Sequence, residues 1–233
     1  MNYYGSTEHM TLLQEYDERV FPQCDFSKPS DEYCPGDGFL VRCYSAVDEN
    51  ESTRTPYRDL NTGEVCRLYH SEELVFEWKF IGASPREATI LHHANGKSYL
   101  LYYENLYGYN VLDLASMQSV HYIPRESYET DRERFEETVI WVVPHYDPES
   151  SMLAIEGCVW GSPYTVLVVD FNDPMRIVEA GQWLDLNGSI DSESYHEINF
   201  TEWTADALVC DTGRYSKTEL FNLIEKQKRN AEA

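Results

Sequence analysis

Short apolar stretches recur along the middle of the chain, and polar turns separate them. Four of these stretches are about four or five residues long, a length that suits a strand and is too short for a helix. Polar segments before three of them are typical of turns that join two strands. The predicted strands are 39–43, 99–103, 152–155 and 207–210, and the turns are 93–97, 145–150 and 202–206.

A second pattern is an apolar run that ends in aspartate and leads into a turn. The aspartates are Asp59, Asp113 and Asp170, which stand 54 (113 − 59) and 57 (170 − 113) residues apart. Asn, Gly and Pro in these turns supply the backbone angles that a tight reversal needs. Another short strand is predicted after each turn. The turns are 61–63, 115–117 and 172–174, and the strands after them are 65–69, 119–123 and 175–180.

The two patterns combine into a unit of strand, turn, strand, loop, strand ending in Asp, turn and fourth strand. Four antiparallel strands within about 50 residues are the module of a β-propeller blade. Over residues 39–215 this order resembles WD-repeat and related β-propellers, although the chain has no Gly-His opening and no Trp-Asp ending, and its units are longer. The resemblance implies a rigid platform for partners and no particular activity. A β-sandwich or an irregular barrel is the alternative.

The carboxyl end departs from the strand pattern. Ser216 and Glu219 have the spacing of a capping box, in which each side chain bonds to a free N–H of the first helical turn. Apolar residues at helical spacing follow, and basic residues stand near the far end, where a helix favours positive charge. These features predict a helix over 217–229. Apolar residues before Pro22 predict a second, short helix near the amino end.

We therefore expect an all-β chain, with a propeller-like array of about four antiparallel β-sheet units and a C-terminal helix. Because that helix stands where a regular blade has a strand, the array is either incomplete or completed by the amino-terminal segment. No flexible linker divides the chain, so one domain is expected, with an extension over 1–38, the repeats over 39–215 and the helix over 216–233. The residues predicted to be buried on inner strands are Leu101, Leu153, Val168 and Leu208.

Charge narrows the set of partners. The 233 residues include 18 Lys and Arg against 41 Asp and Glu, a formal net charge of −23. Such a charge repels nucleic-acid phosphates and anionic membranes, so we expect a protein or a small polar ligand instead. The hydrophobic content of 42% excludes a disordered chain. No run of about 18 apolar residues is present, so no membrane span is predicted.

Motif searches favour a cytoplasmic protein without a cofactor. The amino end has no basic segment followed by an apolar stretch, as a signal peptide would. Six cysteines are scattered without a C-x-x-C pair, which suits reduced thiols better than disulfides or a zinc site. Phosphate-binding, dinucleotide and hydrolase motifs are absent, and the seven histidines lack ligand spacing. We therefore expect no metal, no cofactor and no catalytic residue.

The repeat places acidic and aromatic residues at matching positions. Glu104, Glu156 and Asp211 each follow the second strand of a unit, 52 (156 − 104) and 55 (211 − 156) residues apart. Each precedes a loop in which glycine stands near aromatic residues. In a propeller such loops emerge on one rim, where flat rings and carboxylates would form a binding face. The aromatic residues of the predicted face are Tyr107, Tyr109, Trp160, Tyr164 and Tyr215, with Trp160 as the central anchor.

The same positions also have a structural interpretation, because similar strand ends need similar turns and tyrosines pack well across strands. Three functions remain open. We favour a non-enzymatic binding or scaffold protein that uses the aromatic and acidic loops. The alternatives are a carbohydrate-active enzyme with paired carboxylates and an acidic inhibitor or immunity-type protein that covers a basic partner.

Overall fold

Most of the regular secondary structure in the computed structural model is antiparallel strand, which confirms the all-β expectation. The structure describes residues 2–48, 54–55, 58–59, 62–82, 87–128, 136–159, 162–189 and 197–231. The chain divides into two units. The amino-terminal unit contains Tyr3–Ile90 and Leu100–Ile123, and the carboxyl-terminal unit contains Met1–Asn2, Leu91–Tyr99 and Pro124–Ala233.

The amino-terminal unit begins with helix α1, Thr7–Arg19, which confirms the short helix expected before Pro22. Strands then follow along the chain as β1 Asp31–Gly36, β2 Phe39–Val47, β3 Arg54–Thr55, β4 Arg58–Asp59, β5 Thr62–His70 and β6 Glu73–Ile81. Four of them form the first sheet in the order β1-β2-β5-β6, and β3 pairs with β4 separately.

The second sheet is a meander of four antiparallel strands, and its order is that of the chain. These strands are β7 Thr89–His92, β8 Ser98–Tyr102, β9 Tyr109–Asp113 and β10 Gln118–Tyr122. Both β9 and β10 belong to the amino-terminal unit, whereas the division between the units falls within β7 and β8.

The first sheet is covered on both faces. One face buries Val41 and Leu68 against Leu100 and Leu112 of the second sheet. Neighbouring residues along a strand point to opposite faces. The other face therefore carries a second cluster, in which Ala46 of β2 and Val65 of β5 pack with apolar residues from α1 and the segment after it.

The carboxyl-terminal unit contains a third and a fourth sheet, and both are meanders. The third sheet comprises β11 Ile140–Asp147, β12 Met152–Cys158, β13 Thr165–Asp170 and β14 Leu184–Asp185, and the short helix α2, Leu186–Ser189, follows it. The fourth comprises β15 Phe200–Trp203, β16 Ala207–Cys210 and β17 Gly213–Ser216. Helix α3, Lys217–Ala231, ends the described chain and confirms the helix expected there.

One core joins these elements of the carboxyl-terminal unit. Ala154 and Val168 of the third sheet pack with Leu208 of the fourth, and α3 adds Leu220 and Ile224. The four leucine and valine residues predicted to be buried, Leu101, Leu153, Val168 and Leu208, are each 0% exposed. In the ranges that the structure describes, no helix has the length and apolar character that a membrane crossing requires.

The second strands of all four units lie where they were predicted, but some later segments differ. No strand forms over 175–180, because the side chain and carbonyl of Asp173 accept from the next residues and turn the chain. The last strand of that sheet is instead the two-residue β14. Thr62 and Gly63, expected in a turn, belong to β5, and β5 is third in its sheet because it pairs directly with β2.

The recurring aspartate has a local structural role. The Oδ1 atom of Asp113, at the end of β9, accepts from the backbone N–H groups of the next turn at 2.9 and 3.3 Å. At the end of β13, Oδ1 of Asp170 accepts from Asn172 N at 3.0 Å. An aspartate at these positions therefore closes the turn after the strand. The side chain of Asp59 lies outside the described part of the chain.

Ser216 caps the first turn of α3, as the sequence predicts. The backbone N–H of Glu219 donates to Ser216 Oγ at 3.2 Å. Ser216→Ala removes this acceptor, so we expect a loss of roughly 1 kcal/mol in the free energy of unfolding, measured by urea denaturation. The control is Thr218→Ala, an exposed position in the same turn. Equal unfolding midpoints for the two variants would contradict the cap.

Two ion pairs fix α3 to the ends of strands. Lys217 Nζ lies 2.7 Å from Asp147 Oδ2, and Lys228 Nζ lies 2.6 Å from Asp170 Oδ2. Burial acts to raise the pKa of Asp147, but hydrogen bonds from Lys217 and Ser150 outweigh it and hold that pKa below its usual value. The pair therefore stabilises the folded chain above the pKa of an unfolded aspartate, about 3.9, and this contribution is lost as the pH falls through the lower folded value.

Lys217→Met is expected to lower the free energy of unfolding at pH 7 by about 1.5–3 kcal/mol, because it removes a charged hydrogen bond and leaves Asp147 buried. The deficit should shrink as the pH falls below the pKa of an unfolded aspartate, about 3.9, towards the lower folded pKa at which Asp147 becomes protonated. Urea titrations at pH 7 and pH 3 measure both values. Lys226→Met, an exposed position on the same helix, is the control. A deficit of equal size at both pH values would contradict the role of the ion pair.

Candidate functional site

Three of the predicted site residues meet along one segment of the carboxyl-terminal unit. The consecutive backbone N–H groups of residues 198–200 donate in turn to the carbonyl oxygen of Tyr164 (2.9 Å), Oδ1 of Asp211 (3.0 Å) and Oε1 of Glu156 (3.0 Å). The segment enters β15, so it brings Glu156 of β12 and Tyr164, just before β13, next to the turn after β16. Glu156 and Asp211 are therefore attached to adjacent residues, although they are distant in sequence.

Tyr215 extends this group. Its ring is half-buried against the core of the unit. Burial raises the pKa of its hydroxyl, and nearby charges, Asp211 among them, raise it further. Tyr164, by contrast, is 37% exposed, and Asp211 is exposed. We call Glu156, Tyr164, Asp211 and Tyr215 the acidic–aromatic cluster.

The cluster carries negative charge at neutral pH. Hydrogen bonds from the backbone and side chain of Asn199 hold the pKa of Asp211 below its usual value. Burial, together with the charges of Asp211 and Glu156, raises the pKa of the Cys210 thiol to about 12. The thiol next to the cluster is therefore protonated and is not a nucleophile at neutral pH.

Glu156 is held through both of its oxygens. One accepts from Phe200 N, and the other lies 2.9 Å from His145 Nε2. The ring of Phe200 stacks on His145 with a centroid distance of 3.7 Å and an interplanar angle of 6°. The His145 carbonyl accepts from Trp203 Nε1 at 2.9 Å, so two side chains of β15 contact His145 of β11.

Glu104, the matching acid of the amino-terminal unit, also contacts a histidine. Its Oε2 atom lies 2.9 Å from His121 Nδ1, and His121 Nε2 lies 2.8 Å from Ser119 Oγ. The ring of Tyr4 stacks on the imidazole at 4.1 Å and 7°. In the orientation that satisfies its hydrogen bonds, the Asn110 amide nitrogen lies 3.2 Å from the same Nδ1 and its oxygen accepts from Glu104 N at 3.2 Å. We call Glu104, His121 and Ser119 the Ser–His–Glu cluster.

The two tyrosines predicted beside Glu104 belong to the core. Tyr107 is 8% exposed and Tyr109 is 1% exposed, so neither presents a ring to solvent as a binding face requires. Gly108 between them has φ +91°, and a Cβ at this position would overlap the backbone of Tyr122. The glycine therefore lets the loop lie directly against β10, and the aromatic residues pack inward. Trp160 and Gly161 lie outside the described residues.

One group of metal-ligating side chains occurs among the described residues. The donor atoms of Cys43, Glu64 and Cys66 lie within 4.8 Å of one another and are buried. A hydrogen bond with Cys43 and burial both raise the pKa of Cys66, so the thiol is neutral. Because Cys43 and Cys66 are opposite each other on β2 and β5, their proximity gives no spacing motif in the sequence. Both side chains pack in the core of the amino-terminal unit.

Sequence reasoning missed Ser119, His121 and His145. The histidines are 17 and 11 residues from the glutamates that they contact, so no local motif joins them. The available signal was the Ser-x-His spacing on a predicted strand, which places both side chains on the same face. Glu104 and Glu156, in contrast, were singled out from the repeat.

Comparison with known proteins adds little. No family model matches the chain. Over 51 residues, or 22% of the chain, it is 31% identical to Uncharacterized protein R762 of Acanthamoeba polyphaga mimivirus. The match covers 20% of the viral protein, so the chain spans about a fifth of its length.

Proposed function

We propose that this protein is a binding or scaffold protein, whose acidic–aromatic cluster acts without chemistry of its own. The ligand that this cluster fits is a segment of a partner protein that bears Lys or Arg. Asp211 supplies an exposed negative charge and Tyr164 an exposed ring. A cation over an aromatic face contributes roughly 0.5–2 kcal/mol, and a neighbouring carboxylate adds a charged hydrogen bond.

The observation that carries the proposal is the excess of carboxylates over cations. Acidic residues outnumber basic ones by 41 to 18. Moreover, several of the basic residues are already in ion pairs: Arg19, Arg42, Arg67, Lys79, Arg214, Lys217 and Lys228. The remaining field is negative, and it would attract a basic partner and speed association at low salt.

Binding is favoured over glycoside hydrolysis. Paired-carboxylate hydrolysis needs one acid with a raised pKa, which donates a proton to the leaving group. The pKa of Asp211 is lowered instead, and Glu156 already accepts from Phe200 N through one oxygen. Both acids therefore suit a fixed anionic surface better than proton transfer.

The proposal includes two further predictions from the sequence, a propeller-like arrangement of the sheets and a cytoplasmic location. Among the described residues, the first three sheets have four strands each and the last has three, and the second, third and fourth sheets have the meander order of propeller blades. The helix α3 follows the last strand, as in an array whose final blade is incomplete. All six cysteines are free thiols, which suits a reducing compartment.

The test is a titration of a fluorescent Arg- and Lys-rich peptide, followed by anisotropy at 50 and 300 mM salt. We expect the peptide to bind more weakly at 300 mM salt than at 50 mM. Asp211→Asn and Tyr164→Ala should each weaken binding several-fold. The controls are Asp173→Asn and Phe221→Ala, an exposed acid and an exposed ring elsewhere in the same unit. The thermal midpoint of each variant checks its folding.

Absence of peptide binding would contradict the proposal. Equal losses in the cluster variants and the controls would contradict the site and favour an inhibitor that uses its overall charge. Binding of chitohexaose but not of the peptide would favour the carbohydrate alternative.

A further inference from the structure

We propose that Ser119 is an activated nucleophile that takes an acyl group from an ester. This inference concerns the amino-terminal unit and does not rest on the acidic–aromatic cluster. The hydroxyl of Ser119 lies 2.8 Å from His121 Nε2, and Nδ1 of the same ring lies 2.9 Å from Glu104 Oε2. A hydroxyl on one ring nitrogen and a carboxylate on the other is the arrangement of a nucleophile, its general base and a positioning acid.

The carboxylate determines the direction of these hydrogen bonds. At Nδ1 the ionised Glu104, at 2.9 Å, is closer than the Asn110 amide nitrogen, at 3.2 Å, and a carboxylate only accepts, so the imidazole proton lies on Nδ1. The Nε2 atom then carries a lone pair, which accepts from the Ser119 hydroxyl. A proton leaving Ser119 has a base at hydrogen-bond distance, and the positive charge that it creates lies next to Glu104.

The surroundings hold the imidazole in place and leave it partly open. Tyr4 stacks on one face of His121, which fixes the ring plane. The side chains of His121 and Glu104 are 16% and 18% exposed, and Ser119 is half-buried. Burial and, to a lesser extent, electrostatic repulsion from His121 lower the pKa of nearby His9 to about 4. His9 is therefore neutral at pH 7 and does not oppose the formation of an imidazolium.

A second carboxylate–imidazole pair provides an internal comparison. In the carboxyl-terminal unit, Glu156 contacts His145 and Phe200 stacks on the ring, as Tyr4 does on His121. There the carboxylate meets Nε2 rather than Nδ1, and within the described residues no hydroxyl is found on the other nitrogen. The serine is thus the feature that distinguishes the Ser–His–Glu cluster from a purely structural pair.

The reaction needs only the ester and water. Oγ of Ser119 bonds to the carbonyl carbon while its proton moves to His121 Nε2. The tetrahedral adduct then breaks its bond to the alcohol oxygen, which leaves with that proton. Water, deprotonated by His121, displaces the acyl group as a carboxylic acid, and Ser119 recovers a proton. Because the net charge is −23, uncharged or cationic esters are favoured over anionic ones.

The test is labelling of the full chain with a biotinylated fluorophosphonate, with the adduct located by peptide mass spectrometry. We expect the adduct on Ser119, none in Ser119→Ala, and a labelling rate at least 100-fold lower in His121→Gln. Glu104→Gln should also slow labelling, and Glu104→Asp should restore part of the rate, because a carboxylate is retained. p-Nitrophenyl acetate should give a stoichiometric burst in the unmodified protein.

Two variants serve as controls and should label normally. Ser98→Ala removes a serine whose hydroxyl lies 3.1 Å from Nδ1 of His92. His145→Gln alters the imidazole pair that has no serine. Thermal melts identify variants that fail to fold. Labelling of the unmodified protein tests the proposal without any variant. No adduct on Ser119, or an adduct whose rate is unchanged by His121→Gln, would overturn the proposal.

Discussion

Replacing Gly108 by alanine is expected to destabilise the amino-terminal unit severely. Gly108 has φ +91°, a conformation that costs a residue with a side chain about 1–3 kcal/mol. In addition, a Cβ there would overlap the carbonyl of Tyr122 and approach Ile123, and backbone atoms on a paired strand cannot move aside cheaply. The measurement is the free energy of unfolding from urea denaturation.

Gly38→Ala is the matched control. Gly38 has φ +74° in the turn between β1 and β2, and a Cβ added there would meet nothing within 4 Å, so this variant carries the backbone cost without the overlap. The difference between the two variants isolates the close approach of the Tyr107–Tyr109 loop to β10. If Gly108→Ala were no less stable than Gly38→Ala, the loop would not pack as described, and an exposed Tyr107 would return to consideration.

Leu101→Ala is expected to lower the free energy of unfolding by about 2–5 kcal/mol. Leu101 is 0% exposed on β8, so truncation leaves a cavity that the packed sheet fills only in part. Leu74→Ala, on the edge strand β6 where the side chain is 50% exposed, should change stability by no more than about 0.5 kcal/mol. Similar losses in the two variants would contradict the assignment of β8 to the core.

The sequence predicted the strands because their signals are local. Apolar runs of strand length and turn-closing aspartates such as Asp113 depend on neighbouring residues, and so does the Ser216 cap of α3. The order of strands in the first sheet was predicted less well. That order depends on which strand pairs with β2 after the separate pair β3 and β4. The pairing of Cys43 with Cys66 is a long-range contact that no local pattern encodes.

The candidate site shows the same limit. Matching positions in the repeat indicated Glu104 and Glu156, because strand ends recur at regular intervals. The burial of Tyr107 was not predicted, because an aromatic residue beside a glycine can either project from an exposed loop or pack against a neighbouring backbone. The histidines that contact these acids, such as His121, lie on other strands, so only the folded structure shows that they are neighbours.

The most direct measurement of the proposed function is an NMR titration of the ¹⁵N-labelled protein with the Arg- and Lys-rich peptide. The backbone amides of Asn199 and Phe200 donate to Asp211 and Glu156, so they report on both carboxylates of the acidic–aromatic cluster. The proposal predicts that these two signals shift progressively as the peptide is added and shift less in Asp211→Asn. Peptide-induced shifts elsewhere, with both of these amides unchanged, would contradict it.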